Sequence, residues 1–166
     1  GLKEPAQRAT GFFRADKIGQ RWWLVDPAGG RFLNRSVVSV TMMRTPGAEA
    51  ALAKRFGDEA GWAAQTTAWL RELGFNGVGA WSDVPLLRAA PSKLAYTLMW
   101  NFMSSYGKKR GGTFQQAGHT GYPGDCIFVF DPGFPAFCDE HARQLEATKD
   151  DPWLLGHFTD NELPFQ

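Results

Sequence analysis

Between residues 31 and 162, short apolar and β-branched runs centred near Val37, Val78, Leu98 and Leu155 alternate with helical or long connecting segments. Connections of that length cannot be hairpin turns, and strands joined by long crossovers run parallel. The expected class is therefore α/β, built from parallel βα units rather than a sandwich. Four such units make half of a TIM (β/α)8 barrel, which takes about 250 residues when complete. The chain has 166. No sequence repeat of 20–50 residues accompanies the alternation, and there is no low-complexity tract.

The first thirty residues read differently. Residues 12–16 and 21–26 are aromatic, β-prone runs around Ile18-Gly19-Gln20, the pattern of a hairpin. Pro27-Ala28-Gly29-Gly30 turns the chain again, and 31–40 (RFLNRSVVSV) reads as one longer strand that completes a β-meander. Residues 1–30 are accordingly expected as a lead-in with a hairpin, and 31–166 as the partial barrel holding strands one to four.

Within that second region, Asp58 is placed to cap a helix in which Trp62, Thr66, Trp69, Leu70 and Leu73 recur at helical spacing, with Gly74 as its left-handed terminator. A strand is expected over 75–81, then a short helix over 84–89 capped by Ser82 and Asp83 and ended at Pro91. Strand 94–100 leads into 101–126, a Gly-rich, basic and aromatic stretch that reads as a long loop. A helix over 134–148 with a cap near Asp131 precedes 153–158 (WLLGHF), a continuous apolar run of the kind buried on both faces.

Charge narrows the partners. Eighteen Lys and Arg against seventeen Asp and Glu leave a formal net charge of +1, which removes the electrostatic basis for general nucleic-acid or polybasic membrane-surface binding. No apolar run reaches the roughly 18 residues of a membrane span, and GLKEPAQRAT has no apolar leader core, so the chain is expected to be soluble, with earlier processing left open. Cys126 and Cys138, twelve positions apart without CxxC spacing, leave a disulfide, two buried thiols or an unrelated pair open. His119, His141 and His157 show no metal-ligand spacing, and no glycine-rich phosphate loop or GxSxG elbow is present, so neither a metal nor a cofactor is expected.

The chemistry concentrates after the last strand, in Thr159-Asp160-Asn161-Glu162. The C-terminal ends of parallel strands are where an α/β barrel gathers catalytic groups. A Glu set among aromatic walls there would be pushed toward its protonated form, the state that donates to a leaving glycosidic oxygen. The plain alternative is a polar turn. Trp81 and Trp100 close the second and third strands, with Asn101 beside Trp100, and they read either as sugar-stacking and hydroxyl-binding groups or as core. His119, with Tyr122 and Asp125, lies in the long loop and reads as a groove contact or as loop surface, and Lys108-Lys109-Arg110 as a site for anionic sugars or a solvated turn.

Phe12-Phe13-Arg14, Arg21 through Pro27 (RWWLVDP), Gly74-Phe75-Asn76 and above all Asp151 through Leu163 (DPWLLGHFTDNEL) resemble the agarase-type family 50 glycoside hydrolases of the (β/α)8 retaining glycosidase clan, over nearly the whole chain. The resemblance implies a retaining enzyme of β-linked poly- or oligosaccharide, such as an agarose-like galactan. By that resemblance Glu162 would be its general acid/base and Asn161 the contact to the sugar 2-hydroxyl; from their place at the strand ends and in the long loop, Asp160, Trp81, Trp100, Asn101 and His119 are expected as further substrate contacts. The retaining mechanism needs a second carboxylate about 5–5.5 Å from the first. The family carries it on the seventh strand, and no strand here can take that position. The expected partner beyond the carbohydrate is thus the remaining barrel half, in the same polypeptide or a complementing chain, and the expected location is secreted or periplasmic. A noncatalytic carbohydrate-binding or scaffold protein of barrel descent is the alternative function.

Overall fold

The computed structural model describes residues 7–111, 115–116, 119–120 and 129–163, the two short pairs as backbone alone. It divides into two compact units: 1–98 with 151–156, and 99–150 with 157–166.

The first unit opens with β1 (Arg14–Ile18), β2 (Arg21–Val25) and β3 (Arg31–Phe32), an antiparallel sheet in that order. Gly19, at φ 63°, makes the first turn, as the sequence indicates. The second turn is held by Asp26, whose Oδ1 accepts the N–H groups of Ala28 and Gly30. The expected long strand over 31–40 is instead two, β3 and β4 (Ser36–Val37). The break falls where Asn76 intervenes: its Oδ1 accepts from Arg35 N–H and its Nδ2 donates to Leu33 O, so a side chain takes bonds a ladder would use.

Helix α1 (Pro46–Phe56) follows, with Thr45 Oγ1 accepting the Ala48 N–H, Pro46 in its first turn and Gly57 ending it at φ 81°. The TPG…G pattern is a helix signal that the strand-and-helix alternation passed over. Helix α2 (Glu59–Glu72) starts at Asp58, which accepts the Gly61 N–H, and Gly74 follows at φ 85°, both as expected. Its buried stripe, however, is Trp62, Ala63 and Thr67. Leu73 is largely exposed, and Trp69 lies under Arg55 and against the edge of Phe56.

β5 (Gly77–Val78) is shorter than the 75–81 run. It pairs parallel with β4 and with β6 (Ala95–Met99), as a βα architecture requires. Gly77 is obligatory there, because a methyl on it would lie 2.3 Å from Ser36 Oγ and 3.0 Å from Ala95 O. Between them α3 (Val84–Ala89) contributes Val84 and Leu87 to a core completed by Trp62, Ala63, Val78, Ala90, Leu94 and Tyr96. Tyr96 is fully buried, and its hydroxyl donates to Asp151 Oδ2 at 2.8 Å, with Arg88 3.5 Å from the same oxygen.

Ser82 and Asp83 do not cap α3 with their side chains. The Val84 and Leu86 N–H groups go to the main-chain carbonyls of Ser82 and Asp83, Pro85 has none, and Ser82 Oγ and Asp83 Oδ2 accept instead from Val40 and Met42. Ser39 N–H also donates to Ala80 O. The segments following β4 and β5 are thereby fastened to each other.

β9 (Leu154–Phe158) lies beside β6 in a four-stranded sheet of order β4-β5-β6-β9. The bonds Tyr96 N–H to Trp153 O and Trp100 N–H to Phe158 O advance together along both strands, the parallel sense. β9 is half-buried to exposed, not buried on both faces, because it is the edge of this sheet.

The second unit takes the last residues of β6 and β9 and adds α4 (Phe102–Arg110), the hairpin β7 (Gln115–Gln116) and β8 (His119–Thr120), and α5 (Phe134–Ala142), which continues as a 3-10 turn over Arg143–Thr148. The expected loop over 101–126 thus contains a nine-residue helix. Met103 and Tyr106 of α4 pack on Phe134 and Phe137 of α5 and on Leu163. Asp131 does not cap α5 at its first helical turn. Its Oδ1 accepts from Gly133 N–H and from Tyr106 Oη, and Arg110 pairs with its other oxygen. Cys138 is a free, half-buried thiol, and Cys126 lies outside the described residues. Among the described residues no helix is long and apolar enough to cross a membrane.

Candidate active site

Each of the four parallel strands is followed, within four residues, by a non-glycine residue in left-handed conformation: Ser39, Trp81, Asn101 and Glu162, at φ 55°, 59°, 52° and 51°. Among the described residues these are the only such positions. An L-residue held there costs about 1–3 kcal/mol, and such strain concentrates where side-chain direction matters more than stability. Three of the four, Trp81, Asn101 and Glu162, are candidate site residues read from the sequence.

In the first unit, Trp81 is about half exposed and is not a core residue.

The second unit holds the rest. Trp100 N–H bonds to Phe158 O and Phe102 N–H to Thr159 O, so the segment after β6 runs along the segment after β9. Asp160 closes this arrangement. Its Oδ1 accepts the Met103 N–H at 2.8 Å, and its carboxylate also takes the Ser104 N–H. Asn101, formally the N-cap of α4, makes no side-chain cap bond, so the cap comes from Asp160 in another segment. Burial pushes the Asp160 carboxyl up from its ordinary pKa, with the two backbone donors pulling it partly back.

Trp100 is held at two points. Its indole Nε1–H donates to His157 Nδ1 at 2.8 Å, the rings tilted by 51° with centroids 5.8 Å apart. Its carbonyl accepts from His141 Nε2 at 2.8 Å. Desolvation pushes the pKa of His157 down, toward the neutral ring. Neither histidine is a candidate on metal-ligand spacing. The signal for His157 was its place in the β9 run, four residues before Asn161.

Asn161 and Glu162 follow in the same segment, and both are exposed. His119 is placed as backbone in β8, and its side chain, like Tyr122 and Asp125, lies outside the described residues. Lys109 sits over the ring of Phe137, and Arg110 is engaged with Asp131, so these two are more than a solvated turn. Among the described residues no three His, Cys, Asp or Glu side chains gather as a metal site requires.

The chain is structurally similar to family 50 glycoside hydrolases. It matches BpGH50 with a TM-score of 0.77 and 25% identity, over 98% of this chain and 36% of that one. It matches an agarase, AgWH50C, at 0.67 and 21% identity over 98% of this chain and 31% of that one. An exo-beta-agarase matches at 0.68 and 20% identity, over 95% and 32%. The resemblance to family 50 agarases read from the sequence is therefore borne out in the backbone, and the chain spans about a third of the length of the structures it matches. No protein-family model and no curated protein matches the sequence.

Proposed function

We propose that this chain is the acid/base half of a retaining glycoside hydrolase acting on a β-linked galactan of agarose type. The observation that carries the reading is the position of Glu162: it follows the fourth parallel strand in a left-handed conformation, in a backbone similar to that of solved agarases. The four-stranded parallel sheet is then the first half of a (β/α)8 barrel, and β9 pairs on its outer side with a fifth strand supplied by the remainder of the same polypeptide or by a second chain. The nucleophilic carboxylate belongs to that other half.

Glu162 in its acid form gives its proton to the leaving glycosidic oxygen as the nucleophile attacks the anomeric carbon. It then, as carboxylate, takes a proton from the water that opens the glycosyl ester. Asn161 contacts the sugar 2-hydroxyl, while Trp81, Trp100, Asn101 and His119 supply stacking and hydroxyl contacts. Asp160 holds the segment that presents Glu162 by bonding α4. A polymeric substrate of this kind is met outside the cytoplasm.

The test is Glu162→Gln in the whole polypeptide, assayed on agarose oligosaccharides. Loss of about 10²–10⁴ in kcat with binding retained is the expected result. Full hydrolysis by the variant would end the acid/base assignment. Binding without cleavage by the unsubstituted polypeptide would favour a noncatalytic carbohydrate-binding protein instead.

A further inference from the structure

The Trp100–His157 pair does more than the proposed mechanism asks of it. An indole N–H can only donate, so His157 Nδ1 must be the acceptor and the ring must carry its single proton on Nε2. The ring is exposed, and no described residue accepts from Nε2. Trp100 is fixed from the other side by His141, whose Nε2–H faces the Trp100 carbonyl while its Nδ1 lies 3.2 Å from Gln144 Nε2. Two histidines thus hold one tryptophan, but they are not equivalent: His141 is engaged at both nitrogens, and among the described residues His157 has one donor unspent. Merely supporting Trp100 would require only an acceptor at Nδ1.

We propose that His157 is a substrate-binding residue whose Nε2–H donates to a hydroxyl oxygen of a neutral sugar lying beside Trp100. This rests on the glycoside hydrolase reading and adds a contact to it. The acceptor is a neutral hydroxyl rather than an anion because the ring is held in its uncharged tautomer, and a neutral imidazole gives a directed hydrogen bond with no net charge to attract an anion. Protonation at Nδ1 would break the Trp100 bond, so the same contact that fixes Trp100 also keeps the Nε2 donor in place. His157 Nε2–H then reads the presence and direction of one hydroxyl, and the Trp100 ring offers the flat face beside it.

Two substitutions separate donor from prop. In His157→Gln the amide N–H₂ falls near the lost Nε2, so the donor survives and the Trp100 acceptor does not. In His157→Asn the amide oxygen falls near the lost Nδ1, so the acceptor survives and the outward donor does not. Both are made in the whole polypeptide with Glu162→Gln, so that an agarose-derived tetrasaccharide is bound but not consumed, and affinity is read by titration calorimetry. The expected result is affinity within about threefold for His157→Gln and a loss of about tenfold for His157→Asn, the size of one unmade hydrogen bond. The reverse order would overturn the proposal and leave His157 a positioning residue for Trp100, and equal, undiminished affinities would overturn it outright. Should one variant fail to fold, the other still decides, since its retention or loss is predicted separately. Absence of binding by the polypeptide with His157 intact would instead refute the carbohydrate reading itself.

Discussion

Asp160 is the residue whose replacement reports most directly on how the site is built. Its carboxylate accepts the N–H groups of Met103 and Ser104, the first-turn donors of α4 that Asn101 leaves uncapped. Asp160→Ala removes both bonds and leaves the amides of buried Met103 and half-buried Ser104 without an acceptor. At about 1 kcal/mol for each such bond, the loss is about 2 kcal/mol. In a chain of this size that lowers Tm by about 4–8 °C. Hydrogen exchange at the Met103 and Ser104 amides should accelerate by up to about thirtyfold, since 1.4 kcal/mol is a factor of ten. Asp160→Asn behaves differently, because its amide oxygen still accepts while no charge is buried. The Asp160 pKa is raised, so the native state holds that proton more tightly than the unfolded chain does. Stability from this group is present below the unfolded value of about 3.9 and falls as pH rises through the folded one. At pH 7 the order of stability is therefore Asn at or above Asp, with Ala last, and the advantage of Asn over Asp disappears below pH 4. Urea unfolding at pH 7 and 3.5, with exchange read residue by residue, measures all of this. Unchanged exchange at Met103 and Ser104 in Asp160→Ala would refute the assignment of the cap.

The Tyr96 hydroxyl is pushed up to about 12, first by burial and then by its bond to Asp151, with Arg88 opposing. Stability from this group is complete below pH 10 and is lost as pH rises toward 12, so Tyr96→Phe should flatten the alkaline limb of the stability curve while costing about 1.5–2 kcal/mol at pH 7 by urea titration. Asp131 is held at about 2 by the hydrogen bonds from Tyr106 and Arg110 and from the Gly133 N–H. Its stabilisation is present above about pH 4 and is lost as pH falls toward 2, and thermal melts of Asp131→Asn should lack that acid-side decline.

Local signals carried much of the fold. The hairpin around Gly19, the α2 boundaries at Asp58 and Gly74, the α3 span and the parallel order of the strands all follow from residues close together in sequence. The elements that were not legible depend on partners far along the chain. Residues 102–110 contain Gly107 and three consecutive cations and show no amphipathic period, and the carboxylate that caps this helix is Asp160, 57 positions from Met103. The division of 31–40 likewise depends on Asn76, 41 positions from Arg35. Motif and strand order single out Asn161 and Glu162 as candidates, but nothing local shows that Trp100 and His157 meet, because they are brought together by β6–β9 pairing. Ser82 and Asp83 show the converse. A sound local rule picked the right residues for the wrong partner, since the first-turn N–H groups go to main-chain carbonyls and the two side chains reach Val40 and Met42 about 40 positions away.

The fastening of strand-end segments in pairs bears on how such a scaffold can be re-engineered. Val40 and Met42 are bonded by the side chains of Ser82 and Asp83, and Phe102 and Met103 by Thr159 and Asp160. A loop transplanted alone from a related enzyme would arrive without its partner's acceptors and would strand backbone donors in the host. The module to exchange as one piece is therefore the loop pair, 39–42 with 80–83 or 100–104 with 158–162, and recombination breakpoints placed between the members of a pair should yield misfolded chimaeras more often than breakpoints placed between pairs.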